Sequence, residues 1–171
     1  VTEAAKGAGA ADAQLIEQPL AAAIGANLPI SEPVGNMVVD IGGGTSESAL
    51  LSLGGVVAIE ALRVGSFDID ASIQAHVRRE YGVAIGEVTA EEIKLVCGSA
   101  AETAGEMRAE VRGRELVSGL PKTIVLTPAE IRRAIDEPVS AMIDSVVSCL
   151  AQAPAELAQD LLVQGLHLVG G

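Results

Sequence analysis

Aromatic side chains are almost absent: Phe67 and Tyr81 are the only two in 171 residues, and there is no tryptophan. The core must therefore be aliphatic, and little material remains for stacking on nucleic-acid bases. Basic residues are scarce too, 11 against 23 acidic ones, so the formal net charge of −12 repels phosphate backbones. Nucleic acid is set aside as a partner. The only two cysteines, Cys97 and Cys149, lie far apart on apolar helical patterns. That spacing suits neither a zinc site nor a disulfide framework, and buried free thiols in a reducing cytoplasm are expected. His76 and His167 lack cysteine or histidine partners at ligand spacing and read as satisfied structural residues. Arg78, Arg79 and Glu80 read as a solvated helix face. No stretch reaches the roughly 18 uninterrupted apolar residues of a membrane-spanning helix, and no export leader opens the chain. The sequence reads as soluble and cytoplasmic. Both ends read as cut, the first inside a helical pattern and the last just after an apolar strand.

Small helix formers fill residues 1–11, and residues 13–17 give a short extended run centred on Leu15 and Ile16. Pro19 suits the first turn of an alanine-rich helix over 20–26, which Asn27, Pro29 and Pro33 terminate. Three strands follow, over 37–41, 48–53 and 56–64, punctuated by Gly42-Gly43-Gly44 and by Gly54-Gly55, and they pair as an antiparallel meander. Ile69, Ile73 and Val77 recur at helical spacing and predict an amphipathic helix over 68–80. Thr89 with Glu92 has the form of a capping box and opens a helix over 90–96. Residues 106–126 alternate in a β-like way and read as a small, exposed module. Thr127, Pro128 and Glu130 form a second capping box, starting a helix that runs to about 151 with a bend near Pro138. Residues 166–169 read as a final buried strand. This order predicts an α/β domain with a smaller subdomain inserted between 81 and 127.

The segment with the most chemical content is Val38-Val39-Asp40-Ile41-Gly42-Gly43-Gly44-Thr45. Glycines let backbone N–H groups wrap phosphate oxygens that side chains would obstruct. An aspartate at the strand end suits a Mg²⁺-bound water, which makes Asp40 the metal candidate through that water. Thr45 adds a hydroxyl donor. A strand follows the glycines and no Gly-Lys-Ser/Thr ending is present, so the P-loop class is disfavoured.

Leu15-Ile16-Glu17-Gln18-Pro19-Leu20-Ala21-Ala22-Ala23-Ile24-Gly25, together with residues 37–47, resembles the MreB/Mbl family of bacterial actin-like cell-shape proteins. The likeness continues through Ile85-Gly86-Glu87, Thr89-Ala90-Glu91-Glu92-Ile93-Lys94, Gly98-Ser99-Ala100, Val111-Arg112-Gly113-Arg114, Gly119-Leu120-Pro121 and Pro154-Ala155-Glu156-Leu157, covering almost the whole chain. The resemblance implies an actin-like ATPase fold, a ribonuclease-H-like lobe with a small inserted α+β subdomain. It divides the chain into a remnant of the first lobe and hinge (1–33), a second-lobe nucleotide-binding subdomain (34–80 plus 128–171) and the insertion (81–127). The chain would be the C-terminal half of such a protein, with the first phosphate loop upstream of it.

Function follows as expectation: an ATP-binding cytoskeletal protein, with Mg²⁺, whose filaments direct cell shape and wall synthesis. Its partners would be further copies or a full-length bacterial actin, together with the cell-wall elongation machinery. Its place would be the cytoplasm, at the membrane as part of filaments, with no membrane contact encoded in this segment. By position, Asp40, Gly42, Gly43, Gly44 and Thr45 match the second phosphate-binding loop. Glu91, Glu92, Ile93 and Lys94 match the helix beside the adenosine, and Gly170 and Gly171 open the glycine loop on its other side. Gln18 stands where the family has a water-positioning glutamate, which implies slower hydrolysis, because an amide orients water without accepting its proton. The family's Gly-Gly-Asp reads Gly65-Ser66-Phe67 here, which implies an altered nucleotide contact. Two alternatives accompany this reading: a truncated, non-hydrolysing paralogue acting as a filament-interaction module, and a small-molecule kinase of the same superfamily.

Overall fold

A computed structural model describes residues 1–102 and 107–171. Two compact units divide the chain. One comprises Val1–Asp40, Glu47–Glu60 and Ser148–Gly170, and the other comprises Ile41–Ser46, Ala61–Val147 and Gly171.

The first unit opens with helices α1 (Thr2–Gly7) and α2 (Gln18–Gly25). Its four-stranded sheet uses β1 (Asn36–Ile41), β2 (Ser46–Ser52), β3 (Gly55–Leu62) and β7 (Leu166–Gly170), in the order β3-β2-β1-β7. Connections of four and two residues make β1, β2 and β3 an antiparallel meander, since parallel neighbours need a crossover. The central strands are buried on both faces: Met37, Val38, Val39, Leu50 and Leu51 are essentially inaccessible. One face packs Val38 and Leu51 against Ala23 and Leu20 of α2. Along edge strands β3 and β7 every other residue is exposed and the rest, Ala58 apart, are only half-buried, so the expectation of a buried strand over 166–169 is corrected: Leu166 and Leu168 are exposed.

The turn from β2 to β3 falls one residue earlier than the glycine pair suggests. Leu53 and Gly54 both take positive φ, 50° and 77°. This is the pattern of the twisted hairpin turn that suits neighbouring strands. Backbone bonds from Leu53 to Glu32 and from Gly54 to Ile30 hold the strained leucine in place. Residues 13–17 form no strand, and Leu15 and Ile16 are 72% and 56% exposed. A strand needs a neighbour to satisfy its backbone, and no described strand pairs with this segment.

The second unit contains α3 (Ser66–Tyr81), β4 (Val83–Ala84), α4 (Glu87–Cys97), β5 (Ala109–Glu115), β6 (Pro121–Leu126) and α5 (Pro128–Ala134). Strands β4, β5 and β6 form an antiparallel sheet in that order. Ile73 and Val77 of α3, Ile93 and Cys97 of α4, and Val111, Ile124 and Leu126 of the sheet share one aliphatic core. The β-rich stretch is thus not an exposed module: alternate residues of the hairpin are core. Its first expected residue, Glu106, lies outside the described residues.

Helix boundaries depart from expectation in three places. α4 starts at Glu87 with Gly86 as its N-cap, so Thr89 sits inside the helix and caps nothing. The long helix beginning at Pro128 is two: α5 ends at Ala134 and α6 (Asp136–Ala151) begins after Ile135. Pro138 explains the break, because its ring clashes with the carbonyl four residues back, that of Ala134. In the first turn of α6 its missing N–H costs nothing. α7 (Ala155–Gln164) was not expected from the sequence pattern. Among the described residues no helix is long and apolar enough to cross a membrane.

Candidate functional site

In the first unit, Asp40 stands near the end of β1, and Gln18 opens α2. Gln18 Nε2 donates to Asp40 Oδ2 at 2.7 Å. A carboxylate can only accept here, so the amide must turn its NH₂ toward Asp40 and leave its carbonyl oxygen as an outward acceptor. Two residues separated by 22 positions are brought together as a carboxylate with an oriented amide. Asp40 keeps its remaining lone pairs, and among the described residues no basic side chain forms an ion pair with it.

In the second unit, residues 42–45 form a closed turn in which Gly42 N–H donates to Thr45 O at 2.8 Å. The N-terminus of α3 braces the turn from behind. Ser66 N–H donates to Gly42 O at 2.9 Å, and Phe67 N–H to Gly43 O at 2.8 Å. Gly65 is required there, since a Cβ would collide with the carbonyls of Gly42 and Gly43. Asp68 Oδ2 accepts from Gly65 N–H at 2.8 Å and fixes the helix start. At Gly44, by contrast, a Cβ would meet nothing within 4 Å, and Gly44 and Thr45 are exposed. The turn is therefore rigid on one side and open on the other. That is the shape needed to present backbone N–H groups to phosphate oxygens, and the residues fit that group. Gly171 N–H donates to Ile41 O at 3.1 Å, which places it beside the strand end leading into the turn. Gly170 closes β7 with φ of 106°.

The four helix residues expected beside an adenosine diverge. Glu91 lines a hollow of about 390 Å³ with Phe67, Asp70, Gln74, Glu87 and Val88. Glu92 faces a different depression, toward Arg108 and Arg112. Ile93 is a core residue that forms part of the floor of the depression beside Glu92 and does not line the hollow of Glu91. Lys94 donates to Asp70 Oδ2 at 2.9 Å and lies 2.9 Å from Oδ1, with side chains 18% and 11% exposed. Its charge is thus occupied by Asp70, a partner that sequence reading missed. The signal was available: Asp70 lies one residue after Ile69, on the flank of the apolar stripe of α3.

A second unforeseen cluster ties α3 to α5. Glu130 Oε1 is 2.9 Å from His76 Nε2 and accepts from Tyr81 Oη at 2.7 Å. Burial alone would raise the Glu130 carboxyl, but His76, Tyr81 and the Thr127 backbone together hold it below the usual carboxylate range. The bond to Glu130, with burial, pushes the Tyr81 hydroxyl up to about 12. Half of the expected capping box forms: Glu130 accepts from the Thr127 backbone, while Thr127 makes no side-chain cap bond. His76 is satisfied, as expected; His167 is not, because its buried Nδ1 has no partner among the described residues. Both cysteines are buried and free, and burial pushes their thiols up. Arg79 pairs with Glu80 on an exposed face. Among the described residues no cluster of three or more His, Cys, Asp or Glu could hold a metal ion by itself.

The architecture has close counterparts among solved structures. MreB5 of Spiroplasma citri bound to AMPPNP superimposes with a TM-score of 0.94 at 36% identity, over 99% of this chain and 51% of that one. The same protein bound to ADP gives 0.95. These likenesses define the class as an actin-like α/β fold. The family model for MreB/Mbl protein matches residues 1–171, and the chain belongs to that family. It is 48% identical over all 171 residues to the cell shape-determining protein MreB of Escherichia coli strain K12, covering 49% of that protein. It is 38% identical to the cell shape-determining protein Mbl of Bacillus subtilis strain 168, covering 51%. The chain spans about half the length of these curated relatives.

Proposed function

We propose that this chain serves a bacterial actin-like cytoskeletal protein that binds Mg²⁺-ATP and assembles into filaments directing cell shape and wall synthesis. The observation that carries the reading is the 42–45 turn, braced behind by α3 and open at Gly44. The names of the relatives support the cell-shape role, and the AMPPNP and ADP in the Spiroplasma structures support an adenine nucleotide. In this reading the backbone N–H groups of Gly43 and Gly44 and the Thr45 hydroxyl bind phosphate oxygens, and Asp40 holds a water of the metal. Gly42, expected among the phosphate contacts, instead closes the turn, because its N–H is bound to Thr45 O. Bound Mg²⁺-ATP supplies the phosphoanhydride bond whose hydrolysis times assembly. Gln18, with its NH₂ fixed on Asp40, offers its carbonyl oxygen to orient a water but cannot take its proton. Glu91 meets the nucleoside side, Lys94 acts through Asp70, and Gly170 and Gly171 flank the site. Filaments grow by self-association or co-assembly with a full-length bacterial actin, in the cytoplasm beside the wall-elongation machinery.

Gln18 also favours a second reading, an interaction module that binds filaments without turnover. Titration calorimetry with Mg²⁺-ATP, phosphate release and pelleting of the purified protein separate the two. Binding, slow release and pelleting support the ATPase filament; binding and co-pelleting without release support the module. Absence of binding to both ATP and ADP overturns the nucleotide reading itself.

A further inference from the structure

The chain's only phenylalanine is 70% exposed, an unusual place for so large an apolar group. Phe67 is nevertheless held in position: its N–H is bound to Gly43 O, and its ring lies directly on that glycine. A Cβ at Gly43 would come 2.7 Å from Cε2 and 2.8 Å from Cζ of the ring. The ring also forms one wall of the 390 Å³ hollow whose other lining includes Asp70, Glu87, Val88 and Glu91. Phe67 thus stands between the open glycine turn and an acid-lined hollow, touching the first and lining the second.

We infer that Phe67 is the platform on which the nucleoside portion of the bound nucleotide stacks, a deepening that rests on the nucleotide reading above. Carboxylates at Glu87 and Glu91 repel phosphates but accept from hydroxyl and amino donors, so the hollow suits a sugar and base, and the turn suits the phosphates. The volume falls within the range of small-molecule sites, about 300–1,000 Å³. Stacking on one aromatic ring requires only a fixed, accessible π-face, which this geometry supplies. Where the family's Gly-Gly-Asp has a carboxylate, Phe67 thus offers a stacking surface, which gives the altered contact at this position its direction.

The test compares Phe67→Ala, Phe67→Leu and Phe67→Trp by calorimetry with Mg²⁺-ATP, and adds a fluorescence titration of Phe67→Trp, in which the introduced indole is the only one. The exposed ring contributes little to folding, so all three variants should melt close to the parent protein. Alanine should weaken ATP binding roughly five- to hundredfold, the range of a lost base–aromatic stack. Leucine should restore little of it, and tryptophan should bind like the parent with emission that changes on adding ATP. Alanine within twofold of the parent, alanine binding more tightly, tryptophan as weak as alanine, or indole emission blind to bound ATP would each overturn the stacking role while leaving the nucleotide reading intact. If the parent protein binds no ATP, both fall together.

Discussion

Asp40 and Asp70 are chemically the same residue placed in opposite circumstances. Asp40, in the first unit, is half-buried and held by a neutral amide from Gln18. Asp70, in the second, is buried and held by the ammonium of Lys94. A neutral donor fixes a carboxylate without cancelling its charge, so Asp40 stays available to a cation. A charged donor cancels it, so Asp70 becomes a pin between α3 and α4. Geometry alone would rank the two pairs alike, at 2.7 and 2.9 Å. The partner's charge is what separates a site from a strut.

The contrast is easiest to break at the strut. Asp70→Ala leaves the Lys94 ammonium largely buried and unpaired, and unfolding free energy should fall by about 2–3 kcal/mol, below the full cost of a wholly buried pair because both side chains keep an edge in water. Adding Lys94→Met should recover most of that loss, since a well-packed apolar side chain replaces an unsatisfied charge. Urea denaturation of the two variants measures both numbers. If the double variant were no better than the single, Lys94 would not be stabilised by Asp70.

A third carboxylate, Glu130, extends the comparison, being held by His76 and by the neutral phenol of Tyr81. Tyr81→Phe removes one hydrogen bond and should cost about 1 kcal/mol near neutral pH. Tyr81 has a folded-state value raised to about 12 from an ordinary 10.0. Its contribution is therefore fully present below pH 10 and lost as pH rises toward 12, because the unfolded chain ionises first. The phenylalanine variant should lack that alkaline decline. Tyr81 is the only tyrosine and no tryptophan is present, so absorbance at the tyrosinate band reports this hydroxyl alone.

Local pattern made much of this readable. The 42–45 turn, its Asp40, the meander and the apolar stripe of α3 all depend on residues close in sequence, where periodicity and glycine spacing speak directly. Asp70 with Lys94, Tyr81 with Glu130 and His76 with Glu130 are separated by 24, 49 and 54 positions, and no local pattern carries such contacts. α7 was hidden for a different reason: Leu162 and Val163 are exposed, so its apolar residues do not trace one stripe, although Leu157 and Leu161 do lie four apart. Residues 13–17 misled in the opposite sense. Leu15 and Ile16 favour a strand by propensity, but propensity without a pairing neighbour makes none.

At Asp40 the expected effect on folding is under about 0.5 kcal/mol, and the effect on ligand is large. Asp40→Asn keeps the shape and can still accept from Gln18, while removing the charge. Under the proposed function it should weaken Mg²⁺-ATP roughly ten- to hundredfold, the value of a charge-assisted bond of about 1.5–3 kcal/mol. Calorimetry with and without Mg²⁺ checks this: the parent protein's preference for the metal complex should shrink in the variant. An undiminished preference would remove Asp40 from the metal's surroundings.

Gln18→Glu should disturb folding least, because the side chain is exposed and can swing into water rather than face Asp40. It also tests the amide's part most directly. With glutamate, the donor that orients Asp40 is gone and two carboxylates compete for the same space, so the pair either shares a proton or separates. Where they separate, the new carboxylate can accept a proton from water, which the amide cannot. Phosphate release should then rise severalfold at neutral pH and fall again in acid as the pair takes up a proton. Unchanged release with intact ATP binding would mean that the step limiting turnover lies elsewhere, and that the amide at Gln18 serves to hold Asp40 rather than to govern the water.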